Sequence, residues 1–233
     1  MSQHRKKRNL RKNRPRKTEE RANVKPVEAK TDNHQDYIDS ILSNEITICT
    51  GPAGSGKSYI STGIFARMLQ SGEVNQIIAT RPLVCTGKDI GSLPGEMSEK
   101  IAPYLKPIEE NIRSFLGQAN YGNHLTCGRI RYEPLEVMRG ATFNRSCMIL
   151  DEAQNCTLEQ LKMFITRMGY CSKIVINGDL NQSDIGSKNG LSVLTSKLKS
   201  IKGVGVCVLT HEDIQRNGII GEVLKALESG GSY

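Results

Sequence analysis

The sequence predicts an α/β fold: a mainly parallel β-sheet flanked by helices and preceded by a disordered basic tail. Three observations carry this. From Asp36 onward, short apolar runs alternate with helical patterns, as successive βαβ units require. The 233 residues, 37% of them hydrophobic, are enough to bury one sizeable core. The basic charge is gathered at one end: residues 1–30 hold twelve Lys or Arg against three Glu. That balance of +9 within a net charge of +8 leaves −1 for the rest of the chain.

Each element follows in order. From Ser2 to about Asn33, with the run RKKRNLRKNRPRK, apolar residues are too few to offset the entropy of ordering, so residues 1–33 form a disordered tail and 34–233 one domain. Such a tail is an arm for phosphate backbones, a targeting signal, or a solvated solubilising segment. A helix over 35–43 leads to a strand ITICT at 46–50, a helix over 56–70 and a strand QIIAT at 76–80. The stretch from Thr80 to Pro94, rich in Gly and Pro, is long for an αβ connection and reads as a functional loop or a tolerated insertion. A helix over 96–116, a short strand over 129–133 and the strand CMILD at 147–151 come next. Then follow a helix over 157–168, the strand KIVING at 173–178, a helix over 190–200, the strand VGVCVLT at 204–210 and a helix over 212–228.

Composition excludes several classes. No apolar stretch reaches eighteen residues and the N-terminus is too basic for a secretory signal, so the expectation is no membrane partner and a cytoplasmic protein, in the host cytoplasm if virus-encoded. Seven cysteines without a C-x-x-C pair read as reduced thiols rather than a disulfide framework or zinc site.

The chemistry lies at the ends of the strands. Gly51-Pro52-Ala53-Gly54-Ser55-Gly56-Lys57-Ser58 satisfies G-x-x-x-x-G-K-[ST] between an apolar strand and a helix. Its glycines let backbone N–H groups curl around a β-phosphate, Lys57 neutralises β and γ oxygens, and Ser58 ligates Mg²⁺, which makes ATP and Mg²⁺ the expected cofactors. In CMILDEAQN, Asp151 completes the magnesium shell and Glu152 is the candidate general base, or else the pair caps the helix near Thr157. In NGDLNQSD, Gln182 is the candidate phosphate sensor and Asp179 its scaffold, while Gly178-Asp179 is also a turn signal.

Laid out this way, the chain resembles the PhoH family, whose core is a RecA-like P-loop ATPase related to superfamily-one helicases. The resemblance rests on GPAGSGKS, on Thr80-Arg81-Pro82, on LPGEMSEKIAPYLKPIEENI at 93–112, on MRGATF at 138–143, on LDEAQN and on NGDLNQSD, and it covers about Asp32 to Leu227. It implies that Gln35 recognises adenine. It also implies a catalytic arginine finger, for which Arg216 in Asp213-Ile214-Gln215-Arg216, Arg139 and Arg81 compete. Ser58 stands where members commonly carry Thr, which keeps a metal-binding hydroxyl, and Ala141 stands where they carry a basic or polar residue.

The resemblance further implies a homo-oligomeric ring, a hexamer, in which a neighbouring subunit supplies the second wall and the finger. The leading expectation is a helicase-like ATPase acting on RNA or single-stranded nucleic acid through the Arg81–Gly95 loop and the tail. The alternative is an ATP-dependent switch or assembly module with slow turnover. A small-molecule kinase fits the loop but not DEAQ or GDLNQ. Removing residues 1–30 is expected to leave basal ATPase activity intact.

Overall fold

The computed structural model describes residues 24–82, 97–186 and 189–214. The bulk of the expected tail, most of the Thr80–Pro94 loop, and Arg216 with most of its expected helix lie outside the described residues; at the start of that helix His211–Asp213 form a 3₁₀ turn. Among the described residues no helix is long and apolar enough to cross a membrane.

The first helix, α1 (Asp32–Ser43), is capped by Thr31, whose hydroxyl accepts from the His34 N–H. Its inward stripe is His34, Tyr37, Ile38 and Ile41, the spacing of one helical face. β1 (Ile46–Thr50), α2 (Lys57–Ser71) and β2 (Gln76–Thr80) follow. Next come α3 (Met97–Leu116), α4 (Gln118–Thr126), β3 (Ile130–Tyr132) and β4 (Ser146–Leu150). The chain continues through α5 (Leu158–Ile165), β5 (Lys173–Gly178), α6 (Leu191–Leu198) and β6 (Val204–Val208). The six strands form one parallel sheet in the order β3-β2-β4-β5-β1-β6. The four central strands are almost wholly buried, which is why they read as continuous apolar runs rather than alternating ones.

Two cores flank the sheet. α1 to α4 cover one face through residues such as Tyr37, Phe65, Ile108 and Phe115. On the other face, α5, α6 and the 3₁₀ turn Leu135–Met138 pack Phe164, Leu191, Met138 and Phe143. This is the expected RecA-like α/β architecture. Parallel strands send all their carboxyl ends to one edge, so the residues after Thr50, Thr80, Leu150 and Gly178 share that edge.

The tail boundary is corrected. The expected disorder runs to Asn33, yet Val24, Val27 and Ala29 pack against the first core and the Lys25 N–H donates to Phe115 O at 3.3 Å. Gly63 of α2 makes room for them: a Cβ there would stand 2.3 Å from Val27 Cγ2 and 2.6 Å from Phe115 Cζ. Three small apolar residues among charged neighbours vanish in a composition average, but they match a groove that a glycine opens. α4 is an element not expected from the sequence. It buries only Tyr121, so there is no apolar stripe to announce it.

Candidate nucleotide-binding site

The turn from β1 into α2 is made of the eight residues that match the phosphate-loop pattern. Gly51 N–H donates to Gly178 O at 3.1 Å, which ties the start of the loop to the end of β5. Gly51 also backs onto Leu209, whose carbonyl oxygen would lie 2.5 Å from any Cβ. Gly56, the residue before α2, has φ +93°, a conformation that glycine adopts without strain. Pro52 O accepts from the Ser55 hydroxyl at 2.8 Å and closes the turn around Ala53 and Gly54. Lys57 folds its ammonium over the loop, donating to Gly51 O at 2.6 Å and Pro52 O at 2.9 Å.

Lys57, Ser58, Asp151, Glu152, Asp179 and Gln182 line one cavity of about 430 Å³, together with Arg81 from the end of β2 and Pro107 and Asn111 from α3. Ser58 Oγ donates to Asp151 Oδ1 at 2.8 Å. Burial and then the adjacent Glu152 carboxylate push Asp151 above its ordinary value, against the Ser58 bond and the nearby Arg81 and Lys57 charges. A hydroxyl and a buried carboxylate form a hard-oxygen donor pair that suits Mg²⁺ completed by phosphate and water oxygens. Bound there, magnesium would neutralise charge on the phosphates.

Glu152 has φ +55°, outside the range bulky residues favour, and its carboxylate meets Arg81 Nη2 at 3.1 Å and Gln154 Nε2 at 2.6 Å. Gln154 in turn accepts from the Asp179 N–H at 2.9 Å. Asn155 and Asp184 exchange two further bonds, of 3.1 and 2.8 Å, so the DEAQN and GDLNQSD segments are laced together. Asp179 Oδ1 accepts from the Asn181 N–H at 3.0 Å, and Gln182 is exposed at the cavity rim. Gln154 carries no role that its sequence position announces; only the fold reveals that it joins Glu152 to β5.

On the other side of Gly54 and Gly56 lies a second cavity of about 530 Å³, walled by Lys25, Pro26, His34, Tyr59 and Ile60. The expected adenine contact, Gln35, is not among its lining residues. It is exposed on α1, its amide donating to Asp39 Oδ1 at 2.9 Å. The residue that faces the loop is its neighbour His34, because successive helical positions diverge by about 100°. Arg139 is also elsewhere: it is exposed and lines a cavity with Glu136, Glu159 and Met163. Of the three competing arginines, Arg81 alone reaches the phosphate-loop cavity among the described residues.

The family model described as PhoH-like protein matches residues 26–228. Similar curated proteins include the PhoH-like proteins of Synechocystis sp., 36% identical over 87% of this chain, and of Mycobacterium tuberculosis, 39% identical over 87%. That of Bacillus subtilis is 37% identical over 89% of the chain. The matched regions span 62%, 58% and 66% of these relatives, so the chain covers about three fifths of their length. Among solved structures, the large terminase of a thermophilic bacteriophage superposes with a TM-score of 0.55 at 11% identity. The superposition covers 85% of this chain and 50% of the terminase, a likeness of fold alone.

Proposed function

This chain belongs to the PhoH-like protein family, and from that premise we propose that it binds ATP with magnesium and hydrolyses it, as an oligomeric ring acting on RNA or single-stranded nucleic acid. The observation that carries the reading is the convergence of Lys57, the Ser58–Asp151 pair and Glu152 on one cavity at the carboxyl edge of the sheet. Charge complementarity supports one orientation. The phosphates meet Lys57, Arg81 and the amino end of α2, and the nucleoside takes the more apolar cavity beside Tyr59 and His34.

In the reaction, Lys57 leaves its two carbonyl partners for phosphate oxygens, and Glu152 takes the proton of the attacking water. Ser58 and Asp151 would hold the metal, which would supply charge neutralisation at the phosphates. The arginine finger comes from a neighbouring subunit and acts beside Arg81, which is already in the cavity. The test is ATPase rate with and without single-stranded RNA, beside oligomeric state by light scattering with ATP. Stimulation by RNA and a ring-sized particle support the reading. Hydrolysis indifferent to RNA and single-stranded DNA would assign the chain instead to ATP-dependent switching.

A further inference from the structure

Both oxygens of the Glu152 carboxylate are engaged. Oε1 stands 3.1 Å from Arg81 Nη2, and Oε2 accepts from Gln154 Nε2 at 2.6 Å. A general base must turn a lone pair to the water it deprotonates; each oxygen keeps a second lone pair, but the ion pair holds Oε1 against a cation in the cavity, so the departure of a partner opens that oxygen to water. The two are not held alike. Gln154 is buried and its own carbonyl oxygen is taken by Asp179 N–H, so moving it would strand a backbone donor. Arg81 is 27% exposed, it is the first residue beyond β2, and among the described residues its other hydrogen bond is to the Tyr104 carbonyl at 3.3 Å. It shares the cavity with Lys57 and Ser58. A guanidinium fork fits a carboxylate and a phosphate equally well, with two donors to either.

We propose that Arg81 exchanges Glu152 for the terminal phosphate of the nucleotide, so that the third phosphate itself frees the base. The inference rests on the ATPase reading above. Once Oε1 is free, the water oxygen bonds to the γ-phosphorus as the bond to the β–γ bridging oxygen breaks. The electron pair leaves with ADP and the water proton passes to Oε1. ADP lacks the phosphate that draws Arg81 away, so with ADP bound Glu152 stays held. Arg81 thereby distinguishes tri- from diphosphate and couples that distinction to chemistry.

The experiment measures binding of a non-hydrolysable ATP analogue and of ADP, and single-turnover hydrolysis, in the wild-type chain, Arg81→Ala, Glu152→Gln and the double variant. Arg81→Ala weakens the analogue on the order of tenfold, the scale of one charge-assisted contact, leaves ADP within about twofold, and slows hydrolysis. Glu152→Gln removes the competing charge and tightens the analogue, and that gain vanishes when Arg81 is also Ala. Equal effects of Arg81→Ala on both nucleotides, or a purely additive cycle, overturn the exchange and leave Arg81 a structural tie. If Arg81→Ala fails to fold, Arg81→Lys carries the comparison, since it keeps the charge and loses the fork. A reduced preference for the analogue over ADP supports the exchange and an unchanged one overturns it. A wild-type chain that binds neither nucleotide overturns the ATPase reading and the exchange with it.

Discussion

His34 Nε2 lies 2.8 Å from the carbonyl oxygen of Ser55, and the bond joins α1 to the middle of the phosphate loop. A carbonyl only accepts, so Nε2 carries the proton. Nδ1 then accepts from the Lys30 N–H at 3.3 Å, which makes the ring a bridge between the N-terminal segment and the loop.

Replacing His34 by Ala therefore strands the Ser55 carbonyl and loosens one wall of the nucleoside cavity. The expected result is a loss of about 1–3 kcal/mol in urea unfolding, with a several-fold rise in KM for ATP and little change in kcat. An unaltered KM would mean the bridge serves folding alone.

On the proposed reading, the phosphate loop serves binding and the strand end after β4 serves chemistry. Lys57→Ala abolishes tight ATP binding, whereas Glu152→Gln retains binding and lowers hydrolysis by about 100-fold or more. Fluorescent-nucleotide titration beside turnover measurements separates the two. Equal loss of both in Glu152→Gln would displace Glu152 as the base.

Truncation locates the true start of the domain. Deletion of residues 1–22 leaves stability and basal ATPase activity near wild type. Deletion of 1–30 removes Val24, Val27 and Ala29 from the core beside Gly63 and Phe115 and lowers the melting temperature markedly. This replaces the expectation from composition that loss of residues 1–30 is harmless. Matching melting curves for the two truncations would restore it.

Asp213 gives a stability effect with a defined pH signature. Its carboxylate accepts from Thr210 N–H at 2.6 Å, Asn33 Nδ2 at 2.9 Å and the Thr31 hydroxyl, bonds that link the start of α1 to the exit from β6. Burial works to raise its pKa, but these bonds outweigh it and leave the group below its ordinary value. A depressed carboxylate stabilises the fold above the unfolded pKa, near 4, and the benefit is lost as pH falls through the lower folded value. Asp213→Asn presents an N–H₂ to donors on one side and costs about 1–3 kcal/mol at neutral pH. Chemical unfolding at several pH values shows the gap between wild type and variant closing below about pH 4; a constant gap would contradict the assignment.

Strand existence was legible because the buried strands are short apolar runs between turn signals, and ITICT, QIIAT and KIVING fall at the residues expected. That Lys57, Ser58, Asp151 and Glu152 meet in one cavity was legible because each stands just beyond the end of a strand in a pattern of fixed residue types. Less visible were residues whose role is relational. Gln154 matters through its two partners, His34 is hidden in an otherwise apolar stripe, and Gln35, one position on, faces solvent. Asp213 drew notice only as the neighbour of an arginine, whereas its work is to hold α1. No local pattern encodes a contact between residues 180 positions apart.

The backing of Gly51 by Leu209 makes the stiffness of the phosphate loop directional. On that side there is no room even for a methyl group, and Leu209 is itself fastened by its N–H to Thr50 O at 2.7 Å. Facing the cavities, the same loop meets open space. Room for displacement of the loop is thus one-sided, toward the cavities. On the backed side the loop adjoins the exit from β6, which Asp213 ties to the start of α1.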